Sequence, residues 1–237
     1  MELKMCFSAT ASFVAGGILS VAGAATMISA CRQKLGRGLI FLSSFPLVFG
    51  LQQSLEGLVW LGMSDQLSLR LLTIVNYGFI FFAFFYWPVA GPTAGFLIEK
   101  RKWRKHLFGG LIIGGLAVGT YLMLKAINNP VLPTSSDEWG GHILYLQGMT
   151  LIPNIQYIYF FTACTALAAS SNPTAFKFGL ALTASFLVTL FGYELFVLPS
   201  VWCFFAALCS IVISYDVLRG KTVQYIEKQS DDLRAIV

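Results

Sequence analysis

Long apolar runs dominate the chain and are separated by short polar connections. Runs such as Phe79-Ile80-Phe81-Phe82-Ala83-Phe84-Phe85 do not alternate, whereas a membrane-spanning strand alternates over about 10 positions. A barrel is therefore excluded. A bilayer-crossing helix needs roughly 20 mostly apolar residues. Seven stretches qualify, at about 7–30, 39–63, 69–98, 106–126, 144–170, 175–198 and 200–218. The pattern predicts an all-α polytopic membrane protein: a single seven-transmembrane-helix bundle over 1–218, followed by a polar tail over 219–237. Only Leu198, Pro199 and Ser200 separate the last two stretches, and proline suits a tight turn there because it cannot continue a helix. Pro46, Pro88, Pro92 and Pro153 lie inside the runs as candidate kinks.

Composition supports the same class. Of 237 residues, 57% are hydrophobic and 11% charged, where soluble domains carry about 25% charged residues. Sixteen basic and eleven acidic side chains are too few to coat a soluble enzyme, a disordered chain, a nucleic-acid-binding domain or a disulfide-stapled module. The basic residues gather in alternate connections. Arg32, Lys34 and Arg37 form one group, and Lys100, Arg101, Lys102, Arg104 and Lys105 another; Lys177, Arg219 and Lys221 follow later stretches. The positive-inside rule then predicts an external N-terminus and a cytoplasmic C-terminus. The net charge of +5 reads as a topology signal, with no nucleic-acid partner. In the first stretch the basic residues follow the apolar run, which favours a retained helix over a signal peptide. The segment from Asn128 to Ile143 is the one sizeable external connection, either a solvated connector or a lid.

Small residues recur every four positions at Ser8, Ser12, Gly16, Ser20 and Ala24, and again at Gly110/Gly114 and Gly115/Gly119. That spacing suits close helix packing.

Ionisable residues inside spans are costly and mark function or cavities. Two stand out: Glu56 in the second span and Glu194 in the sixth. Counting from the span ends at about 1.5 Å per residue, Glu56 lies roughly 10 Å below the outer boundary. Glu194, Asn76, Asn154 and Gln156 fall at similar depth, and the inner halves look nearly free of strongly polar groups. Gln52, Glu56 and Trp60 share one helix face, and Gln53 is one turn from Glu56. The expectation is an outward-facing polar cavity in which Glu56 or Glu194 serves proton coupling or general acid/base work. A purely structural reading makes Glu56 an amide-paired packing residue. No metal or cofactor is expected: the two histidines, His106 and His142, fall on opposite sides, whereas a catalytic zinc normally takes three protein ligands. Cys6 and Cys203 both lie near the outer face and are placed to pair.

The stretch Met5-Cys6-Phe7-Ser8-Ala9-Thr10-Ala11-Ser12-Phe13 resembles the opening of an uncharacterised family of small bacterial multi-pass membrane proteins, a domain of unknown function. Phe49 through Trp60 (Phe-Gly-Leu-Gln-Gln-Ser-Leu-Glu-Gly-Leu-Val-Trp) is similar to that family's second block. The resemblance implies a bacterial inner-membrane protein and no particular activity. The favoured function is binding or transport of a small solute or proton. Alternatives are a membrane-embedded enzyme acting on a lipid or lipid-linked substrate, and a structural or assembly protein. Membrane lipids are the expected surroundings, with a small solute or a lipid as the ligand.

Overall fold

The computed structural model describes residues 8–130, 132–135, 141–145, 151–193 and 197–224. The helices are α1 (Ala9–Arg32), α2 (Arg37–Ser43), α3 (Phe45–Met63), α4 (Leu69–Ile80), α5 (Trp87–Ile98), α6 (Lys102–Asn128), α7 (Ile155–Tyr159), α8 (Pro173–Gly192), α9 (Leu198–Cys209) and α10 (Ile211–Leu218). Two-residue strands β1 (Thr134–Ser135) and β2 (Ile143–Leu144) pair antiparallel in the connection after α6. Several helices run on in pairs. As continuous units, six are long and apolar enough to cross a membrane: Ala9–Arg32, Arg37–Met63, Leu69–Ile98, Lys102–Asn128, Pro173–Gly192 and Leu198–Leu218.

The stretch expected at 144–170 is helical only in part among the described residues. Leu144 lies in β2, residues 151–154 are non-helical, and the described helix starts at Ile155. Pro153 lies in the turn before that helix, and Asn154 has a left-handed backbone at φ 66°. Apolar composition alone cannot separate a buried loop from a helix here. The remaining Ile155–Ala169 is a short apolar helix built from α, π (Phe160–Thr165) and 3-10 (Ala166–Ala169) pieces.

The prolines act locally. Pro46 has no N–H to give to Leu42, so the second spanning unit breaks at Ser44, whose hydroxyl donates to the Phe41 carbonyl at 2.7 Å. Before Pro88 the helix widens to a π segment, Phe81–Tyr86. There the Trp87 N–H reaches back five residues to Phe82. The next carbonyl in that register, Ala83, would need the N–H that Pro88 lacks. The Tyr159 hydroxyl supplies a donor instead, at 2.5 Å.

Close packing in α1 follows 3.6-residue geometry. Its buried face is Ser12, Gly16, Leu19, Gly23, Thr26 and Ala30, because a strict four-residue repeat drifts around the helix. Gly16 and Gly23 let α3 approach: a Cβ at Gly23 would collide with the Leu47 backbone, and one at Gly16 with Ser54 and the Gly50 carbonyl. In α6 the working pair is Gly115 and Gly119, seated against Pro88 and Phe85, whereas Gly110 faces open space.

Candidate functional site

The second spanning unit presents Gln52, Gln53 and Glu56 inward, all at most 1% exposed. The i, i+4 spacing of Gln52 and Glu56 puts both on one face. Glu56 Oε1 accepts a 2.5 Å hydrogen bond from the Ser200 hydroxyl, two residues into α9. Gln52 Oε1 accepts from the Trp87 indole N–H at 2.6 Å. The Gln53 amide lies beside the carboxyl, and the Cys203 thiol, one turn after Ser200, lies alongside Glu56 and Gln52. Two of these units thus meet at one carboxyl group, and the Trp87 indole of a third joins the cluster through Gln52.

Much of this cluster's hydrogen-bonding capacity is unused. Trp60 Nε1 and the Tyr145 hydroxyl are buried without a hydrogen-bond partner among the described residues, and there Glu56 Oε2, the Gln53 amide and Gln52 Nε2 make no hydrogen bond of good geometry, although Gln53 interacts with the carboxyl and Gln52 with the Cys203 thiol. Each such group costs about 1–3 kcal/mol if it stays unpaired. No ion pair to Glu56 occurs among the described residues. A buried carboxyl with one hydroxyl donor, two neighbouring amides and spare indole and phenol donors can hold a proton or a small polar molecule.

Above the cluster sits the end of the β1–β2 hairpin. His142, Ile143, Leu144 and Tyr145 are all buried. Tyr145 stacks on Phe79 of α4 with centroids 4.5 Å apart and lies near Glu56. Leu144 packs with Val197 and Val201 at the start of α9. Residues 142–145 are therefore a buried plug, whereas Asn128, Asn129, Pro130, Leu132, Thr134 and Ser135 of the same connection are exposed. Burial also holds the His142 imidazole below its ordinary pKa. Below the cluster lies an aromatic floor: Phe49 stacks on Trp87 at 3.7 Å, and Phe45 sits edge-on to both Trp87 and Phe178.

Of the residues singled out from sequence, Gln52, Gln53 and Glu56 come together as expected, with Trp60 one turn on. Asn76 is buried on α4, one turn from Phe79. Asn154 is instead exposed and Gln156 only half-buried. Their depth had been counted along a helix from 144, but helix starts at Ile155, so they sit at its mouth. Glu194 and Cys6 lie outside the described residues. Sequence reasoning missed Ser200, whose one signal was its place one turn ahead of Cys203 on the buried face of the last span.

It also missed a second polar cluster, at the other end of the bundle. The inner halves of the spans were expected to be nearly free of strongly polar groups, yet Asp216 lies in the last of them, and it and Glu99, just past the end of α5, are each only 2% exposed. Glu99 accepts from the Ser170 hydroxyl at 2.9 Å, the Ser171 N–H at 2.5 Å and the Ser171 hydroxyl at 2.8 Å, and Arg104 lies 3.7 Å away. Asp216 accepts from Lys177 at 2.8 Å and from the Thr174 hydroxyl at 3.2 Å. Asn172 caps α8 by accepting from the Thr174 and Ala175 N–H groups. The signal for Asp216 was an acid in the last turn of a helix, where the macrodipole disfavours it unless a cation is near.

No group of three or more histidine, cysteine, aspartate or glutamate side chains placed to hold a metal occurs among the described residues. The fold and the buried polar site define a polytopic α-helical membrane protein. Residues 5–228 match a family of unknown function, DUF6629, and the chain belongs to that family. No curated protein and no solved structure matches it.

Proposed function

We propose that the Glu56 cluster is an occluded binding site for a small polar solute or a proton, loaded from the end opposite the basic residues by displacement of the 141–145 plug. The observation that carries this reading is the set of buried donors and acceptors around Glu56 that make no hydrogen bond of good geometry among the described residues. A packing-only carboxyl would be expected to have its lone pairs filled. The aromatic floor beneath the cluster favours exchange at one end, or gated transfer, over an open channel. Glu194 belongs to this reading as a second carboxyl, six residues before Ser200 in the chain.

Seven passes also belong to the proposal. The Glu99–Ser170 contact ties the end of the short helix to the end of α5, whereas α6, which starts beside α5, ends at the opposite face. These two placements support a further pass between Asn128 and Ala169. An external N-terminus, a cytoplasmic C-terminus and a bacterial inner membrane complete the reading.

The test is mass spectrometry of the purified protein for a retained small molecule, together with proton uptake measured in proteoliposomes. Wild type is expected to carry a solute or to take up protons, and Glu56→Gln to lose that property. Wild type that does neither, or a Glu56→Gln variant that matches it, overturns the proposal.

A further inference from the structure

At the basic end, charge and apolar surface adjoin without compensation. Lys100, Arg101, Lys102 and Trp103 are exposed where α5 turns into α6. Beside them lie exposed Phe96, Leu97 and Leu107, at 36%, 46% and 41%. Lys105 sits over the Phe96 ring at 5.4 Å, so a cation and an apolar surface are presented together. Among the described residues, the two carboxylates at this end are Glu99 and Asp216, and both are buried and consumed internally. The first turn of α6 contains no acid, and no side chain caps it. The exposed cations here face no anion among the described residues.

We propose that this corner binds an anionic phospholipid, with the phosphate against Lys100, Arg101, Lys102 and Lys105 and the acyl chains along Phe96, Leu97 and Leu107. Anionic headgroups attract clustered Lys and Arg beside a membrane helix, and Trp103 at the same level is a typical interfacial anchor. The adjoining apolar strip selects a lipid over free phosphate or an acidic peptide, because only a lipid satisfies both surfaces. Among the described residues Arg32, Lys34 and Arg37 show no such pairing with an aromatic ring, whereas Arg219 and Lys221 lie over Tyr215.

Native mass spectrometry in neutral detergent tests this, with phosphatidylglycerol titrated against phosphatidylcholine. Wild type is expected to retain phosphatidylglycerol at about tenfold lower concentration. K100Q/R101Q/K102Q/K105Q is expected to lose the preference, and R32Q/K34Q/R37Q, which also removes basic charge at this end, to keep it. Equal retention of the two lipids by wild type, or an undiminished preference in the quadruple variant, overturns the proposal. So does competition by inorganic phosphate alone at millimolar level, which would mark a soluble-anion site. A preference that appears only in E227Q/D231N/D232N would mean that the acidic tail holds this corner, and would overturn it as well.

Discussion

The two ends of the bundle each bury carboxylate, and they treat it in opposite ways. At the basic end Glu99 receives three hydrogen bonds and an arginine, and Asp216 receives a lysine and a threonine hydroxyl. Toward the other end Glu56 receives one hydroxyl and the neighbouring Gln53 amide, and among the described residues its second oxygen has no hydrogen bond of good geometry and no cation is paired with it. A buried acid that is fully satisfied works as a staple between helices. One surrounded by unused donors is prepared for something else. The difference separates structure from function in a molecule where both rest on glutamates.

The sharpest way to break the comparison is to remove the staple. Glu99→Ala leaves Arg104, Ser170 and the Ser171 backbone without their acceptor. It should lower unfolding free energy in detergent by about 3 kcal/mol, in the range for breaking a buried pair. A loss no larger than that of Glu56→Gln would erase the distinction between the ends. Gly115→Ala comes next, because its methyl would strike the Pro88 carbonyl. About 2 kcal/mol is expected from overpacking, whereas Gly110→Ala, in open space, should be neutral or slightly stabilising. Thermal unfolding of the pair checks this. Lys177→Met should cost about 1 kcal/mol or less, since the lysine is half-exposed and solvent screens the pair.

The smallest effect concerns pH. Burial depresses the His142 pKa, so the unfolded plug binds a proton more readily than the packed one. Plug stability is then full above the ordinary histidine value near 6.5 and falls as pH drops below it. Hydrogen-exchange protection at 141–145, corrected for intrinsic rate, should decline between about pH 7.5 and 5.5 in wild type and stay level in His142→Phe. An unchanged wild-type profile would remove His142 from the account.

Much of this arrangement could be read from the chain. Apolar run length located six spanning units to within a few residues, because desolvating a helix requires it. The face shared by Gln52 and Glu56, with Gln53 a turn from the carboxyl, followed from helical period. What escaped was tertiary. The buried Ile143–Tyr145 plug has the composition of a helix, yet Ile143 and Leu144 pair with β1 and the segment packs against Phe79 and Val197. That error displaced Asn154 and Gln156 from the mouth of the bundle to its interior. Glu99 read as part of a basic connection because its partners, Ser170 and Ser171, lie some seventy residues away. Ser200 carried only a faint signal, its place one turn ahead of Cys203, and its role becomes visible through the carboxyl it touches.

The most direct measurement sets the two glutamates side by side. Glu56→Gln and Glu99→Gln are purified together with wild type, and each is scored for unfolding temperature and for retained small molecule or proton uptake per folded protein. The account predicts that Glu56→Gln unfolds within a few degrees of wild type but loses the bound species or the uptake. It predicts that Glu99→Gln unfolds well below wild type yet retains the activity per folded molecule. The reverse pattern, or two variants that behave alike, would contradict it.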